Sequence, residues 1–234
     1  MTTTSTPTRR TDPMRAVALA GGIAYLVTFA ASIPQLALFA DLVADPAGFI
    51  TRPGSDIAVR WGAFLEIVTA AACIGTAVAL YPATRRVSRT AAIGFVTSRV
   101  VEAVLILVGV LCVLTVLTLR TSGADAAALT VIGPALVEMR QWTFLVGPGL
   151  IAGVNALFLG HVMYRGRLVP RIIPVIGFIG APLLLASSTV TVFGGWAQLS
   201  VLGGLAALPV AVWEFSLGVW LTVKGFATTP GHDA

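Results

Sequence analysis

Residues 91–119 read AAIGFVTSRVVEAVLILVGVLCVLTVLTL. A helix crosses a hydrocarbon core of about 30 Å with about 20 apolar residues. This run exceeds that length and holds only two charged side chains, Arg99 and Glu102, so it predicts a transmembrane helix. Working outward, five more blocks meet the same criterion, at 16–40, 58–81, 142–164, 172–193 and 202–223. The expected fold is all-α, a polytopic membrane protein built as a six-transmembrane-helix bundle. Its membrane domain should cover 15–226, with cytoplasmic tails at 1–14 and 227–234. Residues 1–11 are rich in Thr, Ser and Pro and are expected to be disordered. The first block is too long for the core of a signal peptide and no clear small-x-small cleavage site follows it, so it reads as a retained anchor.

Composition supports the same solvent. Of 234 residues, 57% are hydrophobic and 11% charged, against about a quarter charged in a soluble domain. So little charge cannot cover so much apolar surface in water. The net charge of +5 does not point to nucleic acid, because the basic residues form short clusters between apolar blocks rather than a groove-sized patch. The expected partner is the lipid bilayer.

Arginine and lysine set the orientation, since cytoplasmic loops carry their excess. Arg9, Arg10 and Arg15 precede the first block; Arg85, Arg86 and Arg89 follow the second. Arg165, Arg167 and Arg171 follow the fourth, and Lys224 follows the sixth. The opposite side has Arg52, Arg60, Arg120 and Arg140 beside Asp41, Asp45, Asp56, Asp125 and Glu138. Both termini are therefore expected in the cytoplasm, and the location is the bacterial plasma (inner) membrane. The two longest connections, 41–57 and 120–141, read as extended polar segments too short for a folded soluble domain.

Four charged side chains fall inside the apolar blocks: Glu66, Arg99, Glu102 and Glu214. A charge at the bilayer centre costs roughly 2.5–3.5 kcal/mol on insertion scales, so such groups face the bundle interior or water. Arg99 and Glu102 are three apart and share a helix face. Counting about 1.5 Å per residue from the helix ends brings Glu214 and Asn155 to the depth of Arg99, which predicts one polar layer drawn from three helices. One arginine cannot hold three carboxylates, and Glu66 is the expected unpaired group unless Arg60 or Arg140 reaches it. Such a layer can fix helix register as structure or bind a ligand, proton or ion; the residues leave both open.

No metal site or cofactor is expected, and the residues assign no catalytic group. Cys73 and Cys112 lie in apolar runs without ligand spacing. His161 and His232 cannot form a bis-histidine haem site within one protomer, since His232 is in the terminal tail. Nucleotide-binding and hydrolase motifs are lacking.

Several segments carry a resemblance. They are LYPATRRVS at 80–88, GFVTSRVVEAVL at 94–105, FLGHVMYRGRLVPR at 158–171 and LPVAVWEFSLGVWLTVKGF at 208–226. Together they resemble the bacterial multi-pass membrane family catalogued as domain of unknown function 4386. The resemblance implies one complete membrane domain over 15–226 and supplies no activity, substrate or site residue. Three functions follow from the residues. The first is small-solute or proton binding or transport through the Arg99, Glu102, Glu214, Asn155 and Glu66 groups, which needs a cavity reaching them. The second is a scaffold or sensor with a sealed, dry network. The third is an intramembrane enzyme on a lipid-like substrate, which needs a lateral opening and a second reactive group.

Overall fold

The computed structural model describes residues 13–227, which form helices and no strand. The expected tails lie outside the described residues, apart from Pro13 and Met14, which open the first helix, and Ala227. The long helices are α1 (Pro13–Leu38), α4 (Ile57–Val87), α5 (Arg89–Arg120), α8 (Ile172–Val192) and α9 (Val201–Val223). The remaining long span is continuous through α6 (Ala126–Phe144), a π-helical segment (Leu145–Ile151) and α7 (Ala152–Arg165). These are six spans long and apolar enough to cross a membrane. Each packs on the next, and α9 returns to α1, so the six close into a ring. Two short helices, α2 (Ala40–Ala44) and α3 (Pro46–Thr51), join α1 to α4.

Three corrections to the expected elements follow. The segment 41–57 is a cap rather than an extended polar connection. Asp45 accepts a hydrogen bond from Gly48 N at 2.9 Å, and Pro46 stands at the first helical position of α3, the arrangement that starts a helix. The cap buries Leu42, Phe49 and Ile50, with Phe39, against Val110, Val113 and Val137. The segment 120–141 is likewise mostly helix. Asp125 caps α6 through Ala128 N, and the fourth span begins at Ala126, well before the expected 142. Its 40 residues extend about 60 Å at 1.5 Å per residue, twice the hydrocarbon thickness. The start of α6 therefore reaches beyond the other spans and leans on α3, with Gly133 against Ile50. The third correction concerns Glu66 and is given with the site.

Helix α9 is clamped at one end only. Near the termini, Arg15 donates to the carbonyls of Leu221 (2.9 Å) and Thr222 (2.7 Å), covering acceptors that the last helical turn leaves free. A Cβ on Gly22 would lie 2.6 Å from Thr222 N, and one on Gly180 would lie 2.7 Å from Val210 N. Glycine at both sites lets α1 and α8 touch the α9 backbone, the close approach that holds helices together in lipid. The buried residues of α9 all lie from Val210 onward. Before Val210 no residue of α9 is fully buried, although Ala207 packs half-buried against the core.

Candidate functional site

The ring encloses a cavity of about 360 Å³ to which all six spans contribute. Its lining holds five ionisable side chains: Glu66 on α4, Arg99 and Glu102 on α5, Arg140 on α6 and Glu214 on α9. Each points inward because the alternative is lipid, where an unpaired charge is costly.

Arg99 anchors the first network. Its Nη1 donates to Glu102 Oε2 at 2.8 Å and approaches Glu214 Oε1 at 3.3 Å. Its Nε donates to Thr76 Oγ1 at 3.1 Å, and its guanidinium lies 5.0 Å from the centre of the Tyr25 ring. Asn155 Nδ2 donates to the same Glu102 oxygen. The structure thus brings together Arg99, Glu102, Asn155 and Glu214. Helical spacing places Arg99 and Glu102 on one face, and the inward faces of α7 and α9 meet that face at equal depth. Glu102 thus receives two hydrogen bonds on one oxygen. Glu214 has no hydrogen bond among the described residues beyond its ion pair with Arg99, and its side chain keeps 15% of its surface exposed.

Glu66 does not join this layer, and it is not the unpaired carboxyl. Arg140 Nη2 donates to Glu66 Oε1 at 2.7 Å, and both side chains are buried. Arg140 also donates to Gln141 Oε1 at 2.9 Å and lies over the Phe39 ring at 4.7 Å. The expectation failed because the fourth span was started at 142, leaving Arg140 in a loop. Leu129, Gly133, Val137 and Arg140 are in fact the buried face of α6. Their 4-4-3 spacing is a helical stripe and could have revealed the partner. Arg60, the other candidate, pairs with Asp56 at 3.6 Å instead.

Thr76 and Glu66 are ten residues apart on α4, so the two networks stand about 15 Å apart along the helix axis. Between them the wall is apolar or weakly polar, with Thr69, Cys73 and Ile106. Four lining side chains hold a buried polar atom without a hydrogen-bond partner among the described residues: Gln35 Oε1, Glu66 Oε2, Arg99 Nη2 and Arg140 Nε. A buried polar atom left unsatisfied costs about 1–3 kcal/mol, so the wall has hydrogen-bonding capacity in reserve.

The cavity opens sideways. Ile33 and Leu36 of α1 are its only exposed lining residues among those described. Ala207 and Ala211 line the α9 side. A second cavity of about 270 Å³, edged by Ser187, Ser188 and Ser200, shares Leu36, Phe144, Pro148, Leu184 and Ala207 with the first. The exposed edge of the first cavity thus lies on the side of α1 toward α9, and the second cavity runs on to Gln198, Leu199 and Ser200 in the connection between α8 and α9.

A six-span helical bundle with a charged, laterally open interior defines a multi-pass membrane protein with an internal cavity. The family described as domain of unknown function (DUF4386) matches residues 20–225, and the chain belongs to that family. No curated protein and no solved structure matches it.

Proposed function

We propose that the chain binds a small amphiphilic solute in the cavity, taking it from the bilayer between α1 and α9. The observation that carries this reading is one cavity touched by all six spans and by both charge networks. Its volume lies within the range of roughly 300–1,000 Å³ typical of small-molecule sites, and its mostly apolar wall with a few placed polar groups is the usual composition of such sites. A scaffold with a sealed network would gain more from filling this space, since a cavity forfeits the packing of every side chain that lines it. The enzyme reading would need a second reactive group beside a carboxyl, and the neighbours are Asn155, Thr76 and the Tyr25 ring. We place both termini in the cytoplasm and the chain in the plasma membrane on the distribution of Arg and Lys.

Transport is a second reading. The π-helical segment carries Pro148 between Gly147 and Gly149 at the cavity wall, and Pro209 interrupts α9 near the mouth. π-Helical insertions mark functional sites often, and prolines supply the places where a span bends. Two bendable spans beside the site suit a cycle that exposes it alternately.

The test is equilibrium binding of fluorescent amphiphiles to the protein in lipid nanodiscs. Saturable one-site binding is expected in the wild type. Ala211→Trp, which fills the mouth, should weaken it by about tenfold or more with the melting temperature preserved. Binding that never saturates, or that ignores the plug, defeats the reading.

A further inference from the structure

Five ionisable groups line the cavity, and they do not balance. Arg99 and Arg140 are two cations, whereas Glu66, Glu102 and Glu214 are three carboxyls. Glu66 and Arg140 form a closed pair at 2.7 Å. Glu102 takes the best of Arg99, at 2.8 Å, and the amide of Asn155 as well. The surplus carboxyl is therefore Glu214, which has the longer contact of 3.3 Å to an Nη1 already donated elsewhere. It is also the most exposed of the three carboxyls: its side chain retains 15% of its surface against 6% for Glu102 and 4% for Glu66. That surface faces the cavity close to the mouth, next to Ala211 and Val210 on the same helix.

We propose that the solute is a monocationic amphiphile, an apolar chain or ring carrying one ammonium-type group, and that Glu214 is its counter-ion. The inference rests on the binding reading above and names the class of ligand for that site. A cation brings the lining groups to neutrality. With a neutral ligand Glu214 stays as a surplus negative charge in the apolar wall or takes up a proton, and an anion adds a further negative charge. The ring of Phe29 lines the same cavity and packs edge-on against Phe215, centroids 5.6 Å apart. An aromatic ring in the wall is a further group that can attract a cationic head group. The apolar stretch of about 15 Å toward the Glu66–Arg140 pair accommodates the tail, and the free Arg99 Nη2 can donate to a hydroxyl or carbonyl on the ligand.

Three photoreactive eight-carbon probes, matched except for the head group, test this: an octylammonium, an octanol and an octanoate, each with a diazirine in the chain. They are applied to the wild-type protein in phosphatidylcholine nanodiscs at equal membrane-phase concentration, and adducts on cavity residues are read by mass spectrometry. The ammonium probe should label the cavity about tenfold more than the alcohol, and octanoate least. In Glu214→Gln the ammonium and alcohol probes should label the cavity equally, and Glu214→Asp should retain the preference. The wild-type comparison stands even where a variant does not fold. Equal labelling by ammonium and alcohol, or a preference for octanoate, overturns the counter-ion assignment and leaves the binding reading intact. Labelling of the cavity by none of the three overturns both.

Discussion

The two buried arginines sit in the wall of one cavity and are used differently. Arg140 meets one carboxylate, Glu66, at 2.7 Å, and both side chains are 4% exposed. Arg99 meets two, Glu102 at 2.8 Å and Glu214 at 3.3 Å, with Thr76, Asn155 and the Tyr25 ring around them. A one-to-one pair sealed from solvent does what helix register requires, because removing either partner strands a charge. A one-to-two arrangement with the second carboxylate facing a cavity goes beyond that requirement. Intramembrane charge alone therefore does not separate a structural group from a binding group. The local ratio of charges and the exposure of the surplus member do.

The contrast can be broken most directly at Arg99. Arg99→Gln strands both Glu102 and Glu214, so the loss of stability should be the largest in the molecule, about 5 kcal/mol, the upper end for a broken buried pair. Thermal unfolding in detergent, followed by helical circular dichroism, measures it. Arg140→Gln strands only Glu66 and should cost about 3–4 kcal/mol. Adding Glu66→Leu to Arg140→Met should recover most of that, since an apolar pair of similar volume can replace a buried ion pair with little loss. If the double variant stays as unstable as the single, the Glu66–Arg140 pair does more than hold helices in place.

The carboxylates sharpen the comparison. Glu66→Gln leaves Arg140 without its anion and should cost about 3 kcal/mol. Glu214→Gln removes the surplus charge while Arg99 keeps Glu102, so stability should change by less than about 1 kcal/mol, in either direction. Equal losses at the two positions would mean that Glu214 belongs to the structural network and that the charge count misidentifies the surplus group.

Much of this was legible in the sequence because lipid imposes simple rules. Six apolar blocks of spanning length became six spans, and Arg99, Glu102, Asn155 and Glu214 met because helical rise converts residue counts into depth. What misled was chemistry that looks like a loop. The stretch 126–141 carries Pro134, Glu138 and Arg140, which lowered its apparent hydropathy and hid the start of the fourth span. The stretch 41–57 is short and acidic at its ends, yet Leu42, Phe49 and Ile50 turn it into a cap. The first of these errors removed Arg140 from the membrane and made Glu66 look unpaired. Glycine positions along a single helix were only partly informative. Gly153 does pack against Leu185, but Gly203 faces the carbonyl of Gln198, and the closest helix crossings use Gly22 and Gly180 instead. Which small residue meets which helix depends on the ring order, and single-helix spacing does not contain that. The cavity was not legible at all, because a void is defined by six faces together.

The smallest expected effect supplies the baseline for the rest. Arg60 pairs with Asp56 at 3.6 Å across one helical turn, with the arginine side chain 56% exposed. Asp56 is held independently by Arg120, which also donates to the Arg52 carbonyl at 2.6 Å and covers the Phe49 ring at 4.4 Å. Arg60→Ala therefore strands nothing, and an exposed pair of this kind contributes about 0–1 kcal/mol. The expected shift in unfolding is within that range and shrinks as salt is raised, because exposed charges are screened. The buried pairs should respond far less to salt. A loss at Arg60 as large as that at Arg140 would show that burial is not what separates these arginines, and the argument for a distinct role at Glu214 would lose its footing.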